Sequence, residues 1–378
     1  MGLVFILFTL MASSLYAQSS DMRSFSDDDL NYLTKKIWKK YLSADIRIRE
    51  EAILNEQSKQ RYRLRERLRL GLKLPISEQL TLGTRFVTGD ALDPTTGNVD
   101  LDGFFAKKGI NLDRLYLKYT PFNNFVLFAG KFANPFEHVE LVFHNDVQLE
   151  GLANKFSIKN VSFIDKIDFN LGHFIINEAE ATPDTTFHAA QIYFKGFATK
   201  GLSFGTTYYN FQNSDSIAQA YEGKTPKLTS ADTNNRVGKG TGNSSFLYKF
   251  KIIESLAKYE FNIKSTPLWL LFANANNTDA KENNQAYWGE IGAGPVESLK
   301  NLKMHYRYVY VEQESMISSF SNADMFSPNI KGSEFKLSFS LAKNITLETL
   351  YFWAKKINTT ASANPMLRKV RFQIKAKF

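Results

Sequence analysis

The sequence predicts an all-β chain: a single transmembrane, antiparallel, up-and-down β-barrel of sixteen strands behind a short N-terminal periplasmic helix. Three observations predict it. Val370, Phe372, Ile374, Ala376 and Phe378 alternate with Lys369, Arg371, Gln373, Lys375 and Lys377, and this two-faced strand ends on an aromatic. A final interfacial aromatic, Phe378, suits the last strand of a bacterial outer-membrane barrel. Short turns also alternate with long polar loops from about Ser43 onward. Finally, Arg61, Arg63, Arg65, Arg67, Arg69 and Lys73 lie on one face of a strand whose other face carries Leu68, Leu70, Leu72 and Leu74.

Composition narrows the classes. Of 378 residues, 43% are apolar and 14% aromatic, which suits strands and interfacial girdles and excludes disorder. The slightly negative mean hydropathy excludes a bundle of transmembrane helices. With no cysteine, disulfides, thiol catalysis, cysteine-ligated metals and a lipidated N-terminal cysteine are all excluded. The net charge of +9 favours acidic partners.

Residues 2–12 are almost wholly apolar and Ser13-Ser14-Leu15-Tyr16-Ala17 follows, so 1–17 reads as a secretory signal peptide. No Lys or Arg precedes the apolar run, and translation is expected to start slightly upstream. In 18–42, Ser26 with Asp27, Asp28 and Asp29 reads as a helix start. Leu30, Leu33, Ile37, Trp38 and Tyr41 then form an apolar stripe, with Lys35, Lys36, Lys39 and Lys40 near the end. That amphipathic helix could lie on the inner lipid surface, cap the pore, mediate assembly or be a solvated leader.

The barrel is read over 43–378. Its strands are expected at 43–54, 60–74, 80–89, 111–120, 125–133, 147–159, 166–176, 187–195, 201–212, 255–264, 268–277, 285–294, 301–311, 333–341, 345–355 and 366–378. An even count returns both ends to the periplasmic side. In a bilayer every backbone amide must be paired, so the strands must close on themselves, and sixteen close around an aqueous channel. Ser244 to Ile253 alternates as well and reads as an extension of the tenth strand.

The arginine row is the sharpest functional signal. Alternate residues lie about 6.6–6.8 Å apart, where like charges repel by roughly 0.6 kcal/mol per pair in water. A dry core would not tolerate the row, so it must face water or counter-charges. Arg47, Arg49, Arg85 and Arg114 are expected on the same inner face. Lys369, Arg371, Lys375 and Lys377 join them if the last strand closes on the first. Lys131 and Arg307 are further expected pore-lining cations. Such a wall biases a confined aqueous pore towards anions. In the alternative reading the arginines pair with lumen carboxylates such as Asp45, Glu51, Glu150 and Asp168, and selectivity stays near neutral.

Other constellations carry less. Asn98, Asp100, Asp102 and Gly103 resemble the start of a calcium loop, but its twelfth position is Gly109 instead of Glu, and a polar extracellular loop is the better reading. His138 and His144 near Glu137, Glu140 and Asp146 define no metal geometry; a loop folded into the lumen fits them better. His144 and Ser157 lack the context of a hydrolase site, so no enzyme, metal or cofactor is expected. The signal peptide and the apolar outer face argue against nucleic-acid binding.

The chain resembles the putative β-barrel porin family of Gram-negative bacteria over about residues 43–378. The matching stretches are Leu64 to Gly71, Gly83 to Gly89, Leu112 to Pro121, Gly130-Lys131 with Asn134-Pro135-Phe136, Asp146 to Gly151, Ala286-Tyr287-Trp288 and the Phe-terminated last strand. It departs at Phe143-His144-Asn145, where a Trp-Asp pair would be expected. The resemblance implies outer-membrane location and passive diffusion of small hydrophilic solutes, and no catalytic residues. Its partners would be outer-membrane lipid, the solutes, the assembly machinery through the C-terminal strand and, since trimers are common for this architecture, two further copies. A more distant resemblance to phosphate-selective porins rests on the arginine row.

Overall fold

The structure is a computed structural model that describes residues 40–56, 59–180, 183–222, 229–230, 232–296, 299, 301–325, 327–359 and 364–378. The expected signal peptide and the expected N-terminal helix fall outside the described residues, apart from 40–42.

All sixteen expected strands form. They are Leu42–Asn55 (β1), Arg61–Pro75 (β2), Leu80–Thr88 (β3), Ile110–Phe122 (β4), Phe125–Ala133 (β5), Gln148–Val161 (β6), Ile164–Asn177 (β7), Thr185–Phe197 (β8), Leu202–Gln212 (β9), Lys251–Ile263 (β10), Thr266–Asn277 (β11), Gln285–Val296 (β12), Leu302–Val311 (β13), Ile330–Ala342 (β14), Ile345–Lys356 (β15) and Leu367–Lys377 (β16). Each pairs antiparallel with its neighbours in sequence, and β16 returns to β1, so the sheet has no free edge. Closure runs from Asp45 opposite Lys377 to Asn55 opposite Leu367. Past Lys377 the ladder continues: Phe378 and Ala44 exchange backbone hydrogen bonds of 3.1 and 3.0 Å. The Phe378 side chain is 72% exposed.

Period-two alternation sets the two faces. On β2, Leu64 and Leu70 are exposed on the outside while Arg65 and Arg67 are buried on the inside. Tyr306 and Tyr308 likewise face out on β13, while Val309 and Val311 face in. Connections at one end are short, at 76–79, 123–124, 162–163, 198–201, 264–265 and 343–344. The other end carries long loops, among them 89–109, 134–147, 213–250 and 312–329. The stretch Ser244 to Ile253 divides. Its end joins β10, whereas Ser245–Phe246 pairs with Arg236–Val237 inside the 213–250 loop.

Three of the long loops fold into the barrel. From 134–147, Phe136, Val139, Leu141, Val142 and Phe143 are buried; from 213–250, so are Ile217 and Ala218 of a six-residue helix, Asp215–Ala220 (α1). From 312–329 come Met316, Ile317, Phe320 and Met325. They pack on the inner aromatic side chains of β5 to β9, namely Phe132, Phe174, Phe187, Tyr209 and Phe211. Phe143 sits at the centre, its ring 5.4 Å from Phe187, 5.7 Å from Tyr209, 6.2 Å from Phe211 and 6.0 Å from Phe320.

Candidate pore and its basic wall

Closure of β16 onto β1 assembles one charged surface from the two ends of the barrel. On its inner side Arg47 lies opposite Lys375, Arg49 opposite Gln373, Glu51 opposite Arg371 and Ile53 opposite Lys369. The arginines of β2 flank β1, and those of β3 and β4 continue the row, with Arg85 opposite Arg114.

Carboxylates answer most of these cations. From the wall itself, Glu51 pairs with Arg63 and lies 3.2 Å from Arg371; Asp45 pairs with Arg67, and Asp113 with Arg85. The loops supply three more. Asp100 lies 3.1 Å from Arg61, 3.7 Å from Arg63 and 2.7 Å from Arg65. Asp146 reaches Arg69 at 2.5 Å and Arg67 at 3.8 Å. Asp324 reaches Arg371 at 2.6 Å and Arg49 at 3.7 Å, and its backbone carbonyl accepts from Lys369 at 2.7 Å. Arg47 and Arg114 donate instead to amide oxygens, of Asn98 at 2.5 Å and Gln148 at 2.7 Å.

Burial alone would raise the carboxyl pKa of both loop acids, but the surrounding cations outweigh it. Asp146 is pulled below the ordinary carboxylate range by Arg69, His144 and Arg67. Asp324 is likewise pulled well below that range by Arg371, Arg49 and Lys369. Both therefore stay ionised and hold their loops against the wall. The contact is close: Arg49 is 2% and Arg371 4% exposed, so the middle of the wall is covered by loop.

The remaining site residues sit elsewhere. Lys73 is exposed, toward the short-turn end of β2. Arg307 lies on β13, away from the wall, 3.1 Å from both Glu290 and Glu334 and 3.9 Å over the ring of Trp288. Asp168 is fully buried on the inner face but pairs with Lys155 at 3.1 Å and Lys166 at 2.8 Å, not with arginine. Lys131 and Glu150 leave the pore-lining set. Their register places them opposite each other and Lys131 opposite Leu115, on the outer face, where they form a 2.7 Å pair at the rim. The reason is strand parity: Phe128 and Phe132 take the inner face of β5, so Lys131 points the other way.

Residue-by-residue reading missed the pairing of Asp100, Asp146 and Asp324 with the wall. They lie in loops far along the chain, and only the apolar run Leu141-Val142-Phe143 inside a polar loop hinted that this segment goes inward. The calcium-like run is explained, since Asn98 and Asp100 serve arginines. His138 and His144 approach Phe136 O at 2.9 Å and Glu140 at 3.5 Å, and no metal-holding group of three or more His, Cys, Asp or Glu occurs among the described residues.

A family model described as "Putative porin" matches residues 43–251. No curated protein sequence matches the chain. Among solved structures, the high-pH form of Pseudomonas putida OprB superposes with a TM-score of 0.60 at 11% identity, covering 93% of this chain and 97% of that one. The low-pH form gives 0.52 at 10% identity, covering 95% and 100%. At such identities the likeness is one of fold.

Proposed function

This chain belongs to the putative porin family and forms a channel in a Gram-negative outer membrane; from that premise we propose that the channel passes small hydrophilic solutes and favours anions. The observation that carries the preference is the surplus of cations on the wall. Arg47 and Arg114 meet amide oxygens, and no ion pair joins either to a carboxylate among the described residues. In a confined pore such a surplus raises the local concentration of anions. The basic wall that sets this field comprises Arg47, Arg49, Arg63, Arg65, Arg67, Arg69, Arg85, Arg114, Lys369 and Arg371, with Arg61 and Lys73 toward its two ends and Arg307 on β13.

The test is the reversal potential of the purified protein in a planar bilayer under asymmetric KCl. An anion-leaning value is expected; an unshifted or cation-leaning value overturns the preference, and electrical silence overturns the open pore in favour of a plugged scaffold. Conductance steps should be small for sixteen strands, because loops cover the wall.

A second reading, an oxyanion-selective channel for phosphate-like solutes, is favoured by what the wall already holds. Asp100, Asp146 and Asp324 each present a planar oxyanion to two or more basic residues, the geometry in which guanidinium forks bind phosphate. Millimolar phosphate should then interrupt the chloride current, and an unaffected current sinks this reading.

The same proposal takes residues 1–17 as a cleaved signal peptide, 18–42 as a periplasmic leader and 43–378 as the barrel. It takes lipid, the assembly machinery engaging the strand that ends at Phe378, and two further copies in a trimer as partners. It assigns no catalysis and no cofactor.

A further inference from the structure

We infer that His173 and His188 form a two-imidazole site for a divalent transition metal of the Cu2+ and Zn2+ class, on the outer wall of the barrel and apart from the pore. The two residues lie directly opposite in the β7–β8 register. Alternation turns both outward: Leu171 and Ile175, two positions either side of His173, are 54% and 45% exposed, while Phe174 between them is buried in the lumen. Both imidazoles are themselves exposed.

The spacing of the ring nitrogens suits chelation, and the rings, 4.7 Å apart and 30° from parallel, need only turn to aim both lone pairs at one ion. The two Nδ1 atoms are 3.2 Å apart. Two nitrogens each about 2.0–2.1 Å from a metal and subtending 90–109° lie about 2.9–3.4 Å apart. Because the paired strands fix both backbones, no rearrangement beyond side-chain torsion is needed to bring the lone pairs together. The same outer row continues to Asn210, opposite His188 on β9, which offers an amide oxygen beside the pair. Water can fill the remaining positions.

Location makes the site reachable. His173 is nine residues above Ile164, which at about 3.3 Å per residue and a tilt near 40° is roughly 23 Å up the wall. That is the outer edge of an apolar band about 25 Å tall, where the aqueous phase begins. The chain's other three histidines are occupied or enclosed: His138 and His144 in the inward loop, His305 against Glu334 at 3.1 Å in the lumen. Imidazole ligands select borderline metals, and Cu2+ heads the affinity order.

Cu2+ is therefore the probe. Titration into the folded, tag-free protein in detergent, followed by electron paramagnetic resonance, should show one Cu2+ per chain with two equatorial nitrogens. His173→Ala or His188→Ala should weaken binding about 100-fold, the low end of what a second tethered ligand adds, and leave a one-nitrogen spectrum. His144→Ala should change neither. Wild-type affinity in His188→Ala, or wild-type binding no tighter than that of a variant carrying both His173→Ala and His188→Ala, overturns the site. His173→Gln and His188→Gln repeat the test with polarity kept, and heat-modifiable gel mobility confirms that each variant is folded.

Discussion

The lumen has two unlike halves, and the loops inside touch both. Along β5 to β9 they meet a stack of rings; along β16 and β1 to β4 they meet a row of guanidinium groups. The aromatic half holds by dispersion and exclusion of water, which salt does not screen and moderate pH does not titrate. The charged half holds by ion pairs that salt and protons weaken. One plug is thus fastened by two mechanisms with different sensitivities. The greasy half fixes where the loops lie, and the polar half sets what field a passing solute meets.

Four experiments can break or sharpen that division. The largest effect is expected from Phe143→Ala, which removes the ring at the junction of wall and two loops; such truncations cost about 3–5 kcal/mol. The freed loop should raise single-channel conductance severalfold and expose 134–147 to protease. Unchanged conductance would show that the rings do not hold the plug. Next, replacing Arg65, Arg67 and Arg69 together by Ser should move the reversal potential toward the cation side by about 10–20 mV, out of the roughly 59 mV that a tenfold gradient allows for a single charge. A shift the other way would make the field arise elsewhere.

A smaller response should follow salt. Raising KCl from 0.1 to 1 M shortens the screening length from about 10 to about 3 Å, so selectivity should fall while protease resistance of the docked loops persists. The smallest concerns pH. Asp146 and Asp324 have folded pKa values below the unfolded carboxylate value near 3.9. Their contribution is therefore complete above about pH 5 and is lost only as pH falls through the lowered folded values. Conductance between pH 5 and 8 should be flat on their account; a step in that window would point to other groups.

Much of the architecture was legible because a barrel strand writes its two faces into alternate residues. All sixteen strands were found, and the inner face of β2 could be named because charge is tolerable only on the wet side. Strand ends were less exact: β14 begins earlier than expected, at Ile330, and β10 takes in only Lys251 to Ile253 of the stretch read as its extension, since the wall rises past the apolar band. Where both faces are apolar the code fails. Phe128, Phe132 and Lys131 of β5 gave no hint of which side is in, and Lys131 was assigned to the pore. The docking of Asp100, Asp146 and Asp324 was not legible either, since it depends on how loops fold once the cylinder has closed. The short basic row of β16 next to β1 was expected only on condition of closure, which the register provides.

That seam has a kinetic consequence. Arg49 meets Gln373 across 324 positions of chain, so the first strand has no partner on one side until the last has been made. Joining so distant segments is slow, and meanwhile an apolar ribbon with an open edge invites aggregation. The biogenesis of this protein is therefore expected to be limited by the arrival and capture of Leu367–Lys377, and a chaperone that shields the nascent edge should matter more to its yield than any single stabilising contact.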